Sequence, residues 1–316
     1  MEAKLAGEEV PVRPRKRQHA FAKAMKNWEL YLLLLPTLIY FIVFQYGPMY
    51  GLQIAFKDFS AIKGIMDSPW VGFKHFVRFF ESYSFEMILW NTLKISLYEL
   101  AVFPIPIIMA LLINQLVNTK FKKLVQTITY APHFISVVVI IGMLQLFLSP
   151  RNGLVNHLLQ ALGMESVYFL GEPGWFTSIF VFSGLWQNAG WGTIIYLAAL
   201  TSISPDLHEA AVVDGASKLK RILYIDIPGI MPTIIILLIL NVGSFLTVGF
   251  QKIYLMQNPL NIEAAEVIQT YVYKSGLVGA QFSYSAAIGL FNNVANFILL
   301  VTMNKIAKKA GQSSLW

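Results

Sequence analysis

The polar residues with the most chemical content in this sequence stand inside uncharged, apolar surroundings. Gly184, Asn188, Trp191 and Ile195 follow one another at spacings of 4, 3 and 4, which places them on one face of a helix. Asn241, Phe245 and Val248 align in the same way further along the chain. Amides can exchange hydrogen bonds with the hydroxyls of a polar ligand, and aromatic faces can cover its C–H surface. The same side chains can equally serve as amide bonds between helices and as packing aromatics, and both readings stay open. Asn292, Asn293 and Asn296 point more to helix–helix bonding. Two ionisable groups, Lys94 and Glu99, lie within one apolar stretch. Lys94 can snorkel outward, whereas Glu99 is deep enough to need a partner.

The motifs of self-contained catalysis are missing. No GxxxxGK[ST], GxGxxG or GxSxG pattern occurs, so no phosphate cradle or nucleophile turn is expected. His208-Glu209 opens like a zinc helix, but Val212 stands where the second histidine would be. His19, His75, His133 and His157 are scattered, and cysteine is absent. No catalytic residue, metal site or cofactor site is expected in this chain.

These residues require elements able to carry them through lipid. Of 316 residues, 24 are Lys or Arg and 17 are Asp or Glu, so 13% are charged against 56% hydrophobic. Soluble domains carry about 25% charge. Six stretches of twenty or more residues have no charge: Leu30–Phe56, Leu100–Thr119, Leu124–Pro150, Pro173–Pro205, Ile227–Gln251 and Ser275–Asn304. A spanning helix needs about 20 mostly apolar residues, so the expectation is an all-α integral membrane protein with six spans. The spans are placed at Glu29–Tyr46, about Ile88–Ile113, Leu124–Leu148, Trp175–Leu200, about Ile230–Tyr254 and Tyr284–Asn304.

On that count 16 basic residues fall on one side, seven on the other, and Lys94 within a span. Short basic loops stay cytoplasmic, which puts both termini inside. Residues 1–28 form a basic cytoplasmic tail and 29–316 the six-span domain. The first apolar segment is too long for a cleavable leader. Outside, Trp70–Phe80 mixes aromatic and basic residues, fitting either an interfacial helix or one packed on the bundle.

The segment between spans four and five, 201–229, is patterned rather than merely polar. Ser204 and Pro205 start a helix, Asp206 and Glu209 favour its first turn, and Gly215 ends it. A second short helix, about Ser217–Tyr224, stops before Pro228-Gly229. The Ala210-Ala211 pair leaves a thin surface that another protein could approach. An amphipathic helix resting on lipid headgroups is the alternative.

Glu209-Ala210-Ala211, Gly215, and Ile225 through Pro228 after nine intervening residues resemble the EAA coupling motif of ABC importer permeases. Ile227 replaces the usual Leu. The six-span order is similar to the binding-protein-dependent sugar permeases (type I importer architecture). Tyr31–Phe59 resembles the subgroup that imports oligosaccharides released from polysaccharides. The resemblance implies a transport subunit rather than an enzyme, in the cytoplasmic membrane. It implies a second related permease, two ATPase subunits that hold ATP and Mg, an external sugar-binding protein and an oligosaccharide substrate, with no nucleic acid. Glu209, Ala210, Ala211, Asp214, Gly215 and Pro228 would form the contact with the ATPase. Gly184, Asn188, Trp191, Asn241 and Phe245 would line the substrate pathway. An acidic uronide would require basic residues facing that pathway, for which Lys94 is the intramembrane candidate. The rival function is an ion-coupled secondary transporter, in which Glu99 would bind the coupling ion.

Overall fold

The computed structural model describes residues Trp28 to Trp316, so the expected basic tail lies outside the described residues except for Trp28. Among the described residues the fold is helical, with only the isolated bridges Lys57–Trp70 and Ser60–Gly64 in β geometry. The chain divides into two compact units, 1–53 and 54–316.

In the first unit, α1 (Trp28–Tyr40) continues through wider turns at Phe41–Tyr46 into tighter ones that begin at Tyr50. None of its described side chains up to Tyr50 is buried, although Leu, Ile, Phe and Tyr occupy every side. A helix apolar all round calls for an apolar surrounding.

The second unit opens with a short outer segment containing α2 (Lys74–Phe80). This helix packs on the bundle: Phe79 is buried against Ile88, Ile268, Tyr284 and Ile288. Packing on the bundle is thus present at Phe79, while Trp70, Phe73 and Phe80 stay exposed. Next come α3 (Phe85–Val102) and α4 (Pro104–Asn114), which together make one long run, as expected for the second span. Pro104 begins α4, where a missing N–H costs nothing.

The expected third span is not straight. α5 (Thr119–Tyr130) and α6 (Val137–Phe147) meet at 97°. Pro132 lies in a tight turn, Ala131–Phe134, and Ser136 is extended with its hydroxyl accepting from the Val139 N–H at 3.3 Å. A breaker followed by a fresh cap turns the chain where hydropathy alone reads on. α7 (Pro173–Thr201) is a single helix of 29 residues, about 43 Å long at 1.5 Å per residue. Its neighbour α5 comes so close that a Cβ on Gly190 would lie 2.0 Å from the Thr129 carbonyl oxygen.

After α8 (Pro205–Val213) the second short helix, α9 (Lys218–Arg221), does not stop before Pro228. It runs through a π-helical turn, Ile222–Asp226, into α10 (Ile227–Gly243). Ile227 N–H bonds Ile222 O across the wider turn, so the helix passes Pro228, which has no N–H to offer. The far end also differs from expectation. α10 ends at Gly243, residues 244–249 are irregular, and α11 (Phe250–Met256) is separate. Val248 therefore leaves the helical face of Asn241 and is buried in a core with Phe180 and Ile253. α12 (Ile268–Tyr273) and the long α13 (Phe282–Lys309) complete the unit.

By length and apolar composition four runs can cross a membrane: Trp28–Phe56, Phe85–Asn114, Lys218–Gly243 and Phe282–Lys309. The bent pair α5–α6 makes a fifth. α7 has the length, but Gln187, Asn188 and its glycines dilute its apolar character. One core joins α4, α7 and α10 through Ile107, Leu111, Tyr196, Leu200 and Ile230.

Candidate functional site: a capped surface helix beside a polar cavity

α8 is built as its sequence requires. The Ser204 hydroxyl accepts from the Asp206 N–H at 3.3 Å, and Pro205 holds the first turn. At the other end Gly215 adopts φ +72°, where a Cβ would be strained. There the N–H of Ala216 reaches back to Ala211 O at 2.8 Å and that of Gly215 to Val212 O at 3.0 Å. This closes the helix with two bonds. Glu209, Ala210, Val212, Val213 and Asp214 are exposed, and Glu209 forms no ion pair among the described residues. Pro228 is exposed on the following helix, while Ala211 is half-buried.

The inner face of α8 carries His208. Its Nε2 stands 3.2 Å from Oδ1 of Asp226, a fully buried carboxylate on the π-helical turn. Oδ1 receives no hydrogen bond, so the approach is a close polar contact rather than an aligned hydrogen bond. Gln115, which caps α4, donates from Nε2 to the other oxygen, Oδ2, at 3.2 Å. Arg221 adds positive field, and its own Nε is buried without a hydrogen-bond partner. Beneath these groups Ile203 packs so tightly on Gly229 that a Cβ there would approach to 2.5 Å.

A cavity of about 590 Å³ opens beside α7 and α10, lined by Glu99, Gly184, Asn188, Ile195, Asn241 and Ser244 among others. The Asn188 amide is already committed: Oδ1 faces His133 Nδ1 at 3.0 Å, and Nδ2 donates to Gly184 O at 3.0 Å. Trp191 is not in the lining. It stacks on the His133 ring at 4.5 Å with the planes 3° apart. Phe245 is absent from the lining too, because it follows the end of α10, and its carbonyl accepts from the Ser96 hydroxyl. Of the five expected pathway residues, Gly184, Asn188 and Asn241 come together. His133 joins them from 55 residues away, which no sequence spacing could have signalled.

Glu99 does have a charged neighbour. Lys252 on α11 is buried, donates to Phe180 O at 2.8 Å and lies 4.8 Å over the Phe180 ring. It attracts Glu99 without a direct ion pair among the described residues. A Cβ on Gly184 would come within 3.2 Å of the Lys252 ammonium, so the cation sits just behind the cavity wall. Lys94, the expected intramembrane cation, is not among the lining residues. Asn296 on α13 holds the irregular segment after α10 rather than a second helix, accepting from Leu246 N–H at 2.8 Å and donating to Thr247 Oγ1 at 2.9 Å. Asn292 and Asn293 border a second cleft of about 500 Å³ with Gln269 and Tyr273. No cluster of three or more metal-ligating side chains exists among the described residues.

Residues 102–310 match the family of binding-protein-dependent transport system inner membrane components. The chain belongs to this family. The permease is 42% identical to the polygalacturonan/rhamnogalacturonan transport system permease protein YteP of Bacillus subtilis (strain 168), over 98% of this chain and 97% of that one. It is 44% identical to protein LplB of the same organism, over 91% of both. Its structure matches a chain of a bacterial alginate ABC transporter, crystallised in complex with an alginate pentasaccharide-bound periplasmic protein. That match has a TM-score of 0.86 and 42% identity, and covers 93% of this permease and 99% of that chain. α8 and the cavity lining other than Glu99 lie inside the family match, and an ion-coupled carrier finds no support there.

Proposed function

We propose that this permease carries oligosaccharides into the cell as one transmembrane subunit of an ABC importer. Its six spans include the bent pair α5–α6 and the amide-bearing α7, and both termini are cytoplasmic. Segment 201–229 docks on an ATPase subunit, with Glu209, Ala210, Ala211, Asp214 and Gly215 at the contact and Pro228 beside it. ATP and Mg are bound and used on two such partner subunits. A second, related permease and an external sugar-binding protein complete the assembly. Substrate passes the cavity at Gly184, Asn188 and Asn241.

The observation that carries this reading is the construction of α8: capped at both ends, bare on its outer face and tied inward to the helix that borders the cavity. Such a helix can be gripped from outside and can move what lies behind it. The likeness to a permease named for polygalacturonan and rhamnogalacturonan transport, and to a chain of an alginate transporter, supports the substrate class. Co-purification in mild detergent tests it. An ATPase and a second permease should accompany the intact chain, and Gly215→Asp should remove the ATPase without preventing insertion. If the ATPase is retained in that variant, α8 is not the docking site.

A further inference from the structure

The inner face of α8 is held in an unusual way for a helix on an apolar bundle. Of its residues only His208 and Ala211 are half-buried, and none is fully buried. Ala211 has one methyl to offer, so the specific contact is His208 with Asp226 at 3.2 Å. Asp226 is wholly enclosed and also receives Gln115 at 3.2 Å. One carboxylate thus joins three elements: α8, the end of α4, and the π-helical turn that leads into α10. Both α4 and α10 run on to the cavity, where Phe103 and Pro106 at the start of α4 and Asn241 at the end of α10 stand in its wall.

Burying a carboxylate is costly unless partners compensate it, and apolar packing would hold a helix more cheaply. A polar hub differs from apolar packing in being directional: it holds its partners in one geometry and transmits displacement between them. π-helical turns, in addition, tend to occur at functional sites.

We infer that Asp226 is a positioning residue that carries motion of α8 into the cavity-lining helices, with His208 as its contact on α8 and Gln115 as its contact on α4. This rests on α8 being the coupling helix. An ATPase that closes on α8 displaces His208, and the Asp226 carboxylate passes that displacement to α4 and α10 together. Without the hub the ATPase still docks on the outer face and hydrolyses ATP, but the cavity does not follow.

The absence of cysteine makes a direct test practical. Ser244 lines the cavity at the end of α10, and Ser244→Cys supplies a nearly isosteric thiol there. In the co-purified complex, its labelling rate by a polar maleimide is compared with and without ATP plus vanadate. The rate should change about tenfold or more, equivalent to about 1.4 kcal/mol, in the otherwise unsubstituted chain. His208→Leu and Asp226→Ala should each bring that change within about twofold while ATPase is retained and hydrolysis continues, and the double variant should be no worse than either. His208→Gln, which keeps a polar group able to reach the carboxylate, should restore most of the response.

A full response in His208→Leu overturns the inference, as does a loss that multiplies in the double variant. Loss of the ATPase itself from His208→Leu also overturns it, because His208 would then belong to docking. If Asp226→Ala fails to insert, His208→Leu on the half-exposed surface decides alone. A reporter that ignores ATP in the unsubstituted complex, or an ATPase that never co-purifies, would instead bring down the coupling reading itself.

Discussion

At the scale of single residues, the charges inside this permease balance one another across the cavity wall rather than in contact. Glu99 faces the cavity, and Lys252 lies behind Gly184 with its ammonium on the Phe180 carbonyl and ring. An intramembrane charge without compensation is expensive, so each of these two groups makes the other tolerable. Lys252→Met should therefore lower the melting temperature of the solubilised chain by several degrees. Adding Glu99→Gln should recover part of that loss, since it removes the carboxylate left without its neighbouring cation. A double variant no more stable than Lys252→Met would show that the two charges do not compensate each other. The pair also bears on substrate charge. Lys94 is the cation expected near an acidic sugar, whereas among the described residues Lys252 stands behind the cavity wall, on an element expected to belong to span five.

At the scale of elements, legibility followed the strength of local signals. α8 was readable because a serine cap, a proline at the first turn and a terminal glycine all act within a few residues. The joined run of α3 and α4 and the long α13 were readable because apolar length needs no tertiary knowledge. The 97° bend between α5 and α6 was missed because Pro132 and Ser136 were read as part of an apolar run instead of as a breaker and a cap. The break after Gly243 was missed for a deeper reason. Residues 244–249 are apolar enough to continue a helix, and what holds them irregular is tertiary: Asn296, fifty residues away, accepts from the Leu246 N–H. Irregular backbone at such depth survives only where protein satisfies it or where it lines a cavity. The outer segment illustrates a third case, in which charge rather than hydropathy sets the element. Lys74, hydrogen-bonded to Asp58 at 2.7 Å, is the main cause that holds this carboxyl below its ordinary value of 3.8; His75 contributes as well, and desolvation opposes them. A depressed carboxyl stabilises the folded form above pH 3.8, and that stabilisation is lost as pH falls through the lower folded value. Protection of the Asp58 and Val71 amides, which bond Pro69 and Phe56 carbonyls, should accordingly be flat above that pH and fall below it. Hydrogen exchange corrected for intrinsic rates would measure this. Asp58→Asn should remove the pH dependence, and a dependence that persists in that variant would assign it to another group.

At the scale of the whole molecule, orientation is the property that composition argues most directly and that no internal contact decides. On the proposed six-span count the basic residues divide 16 to seven, with the three clusters Lys120–Lys123, Lys218–Arg221 and Lys305–Lys309 on one side. Lysine and arginine in short loops are retained on the cytoplasmic side, and the orientation proposed above rests on that bias. The proposed orientation would put α8 within reach of a cytoplasmic ATPase and α2 within reach of an external binding protein. Topology and mechanism thus stand on one sign. A chain without cysteine allows this to be checked in whole cells with a membrane-impermeant maleimide. The thiol introduced by Ser60→Cys should label readily from outside, and that introduced by Ser313→Cys should label only after the membrane is opened. The reverse pattern would put α8 outside, beyond the reach of any cytoplasmic ATPase, and would remove the coupling role however well the helix is built. Labelling of both from outside would mean an odd number of crossings. α5–α6 or α7 would then be the element that fails to span, since these are the runs that length and apolar composition support least.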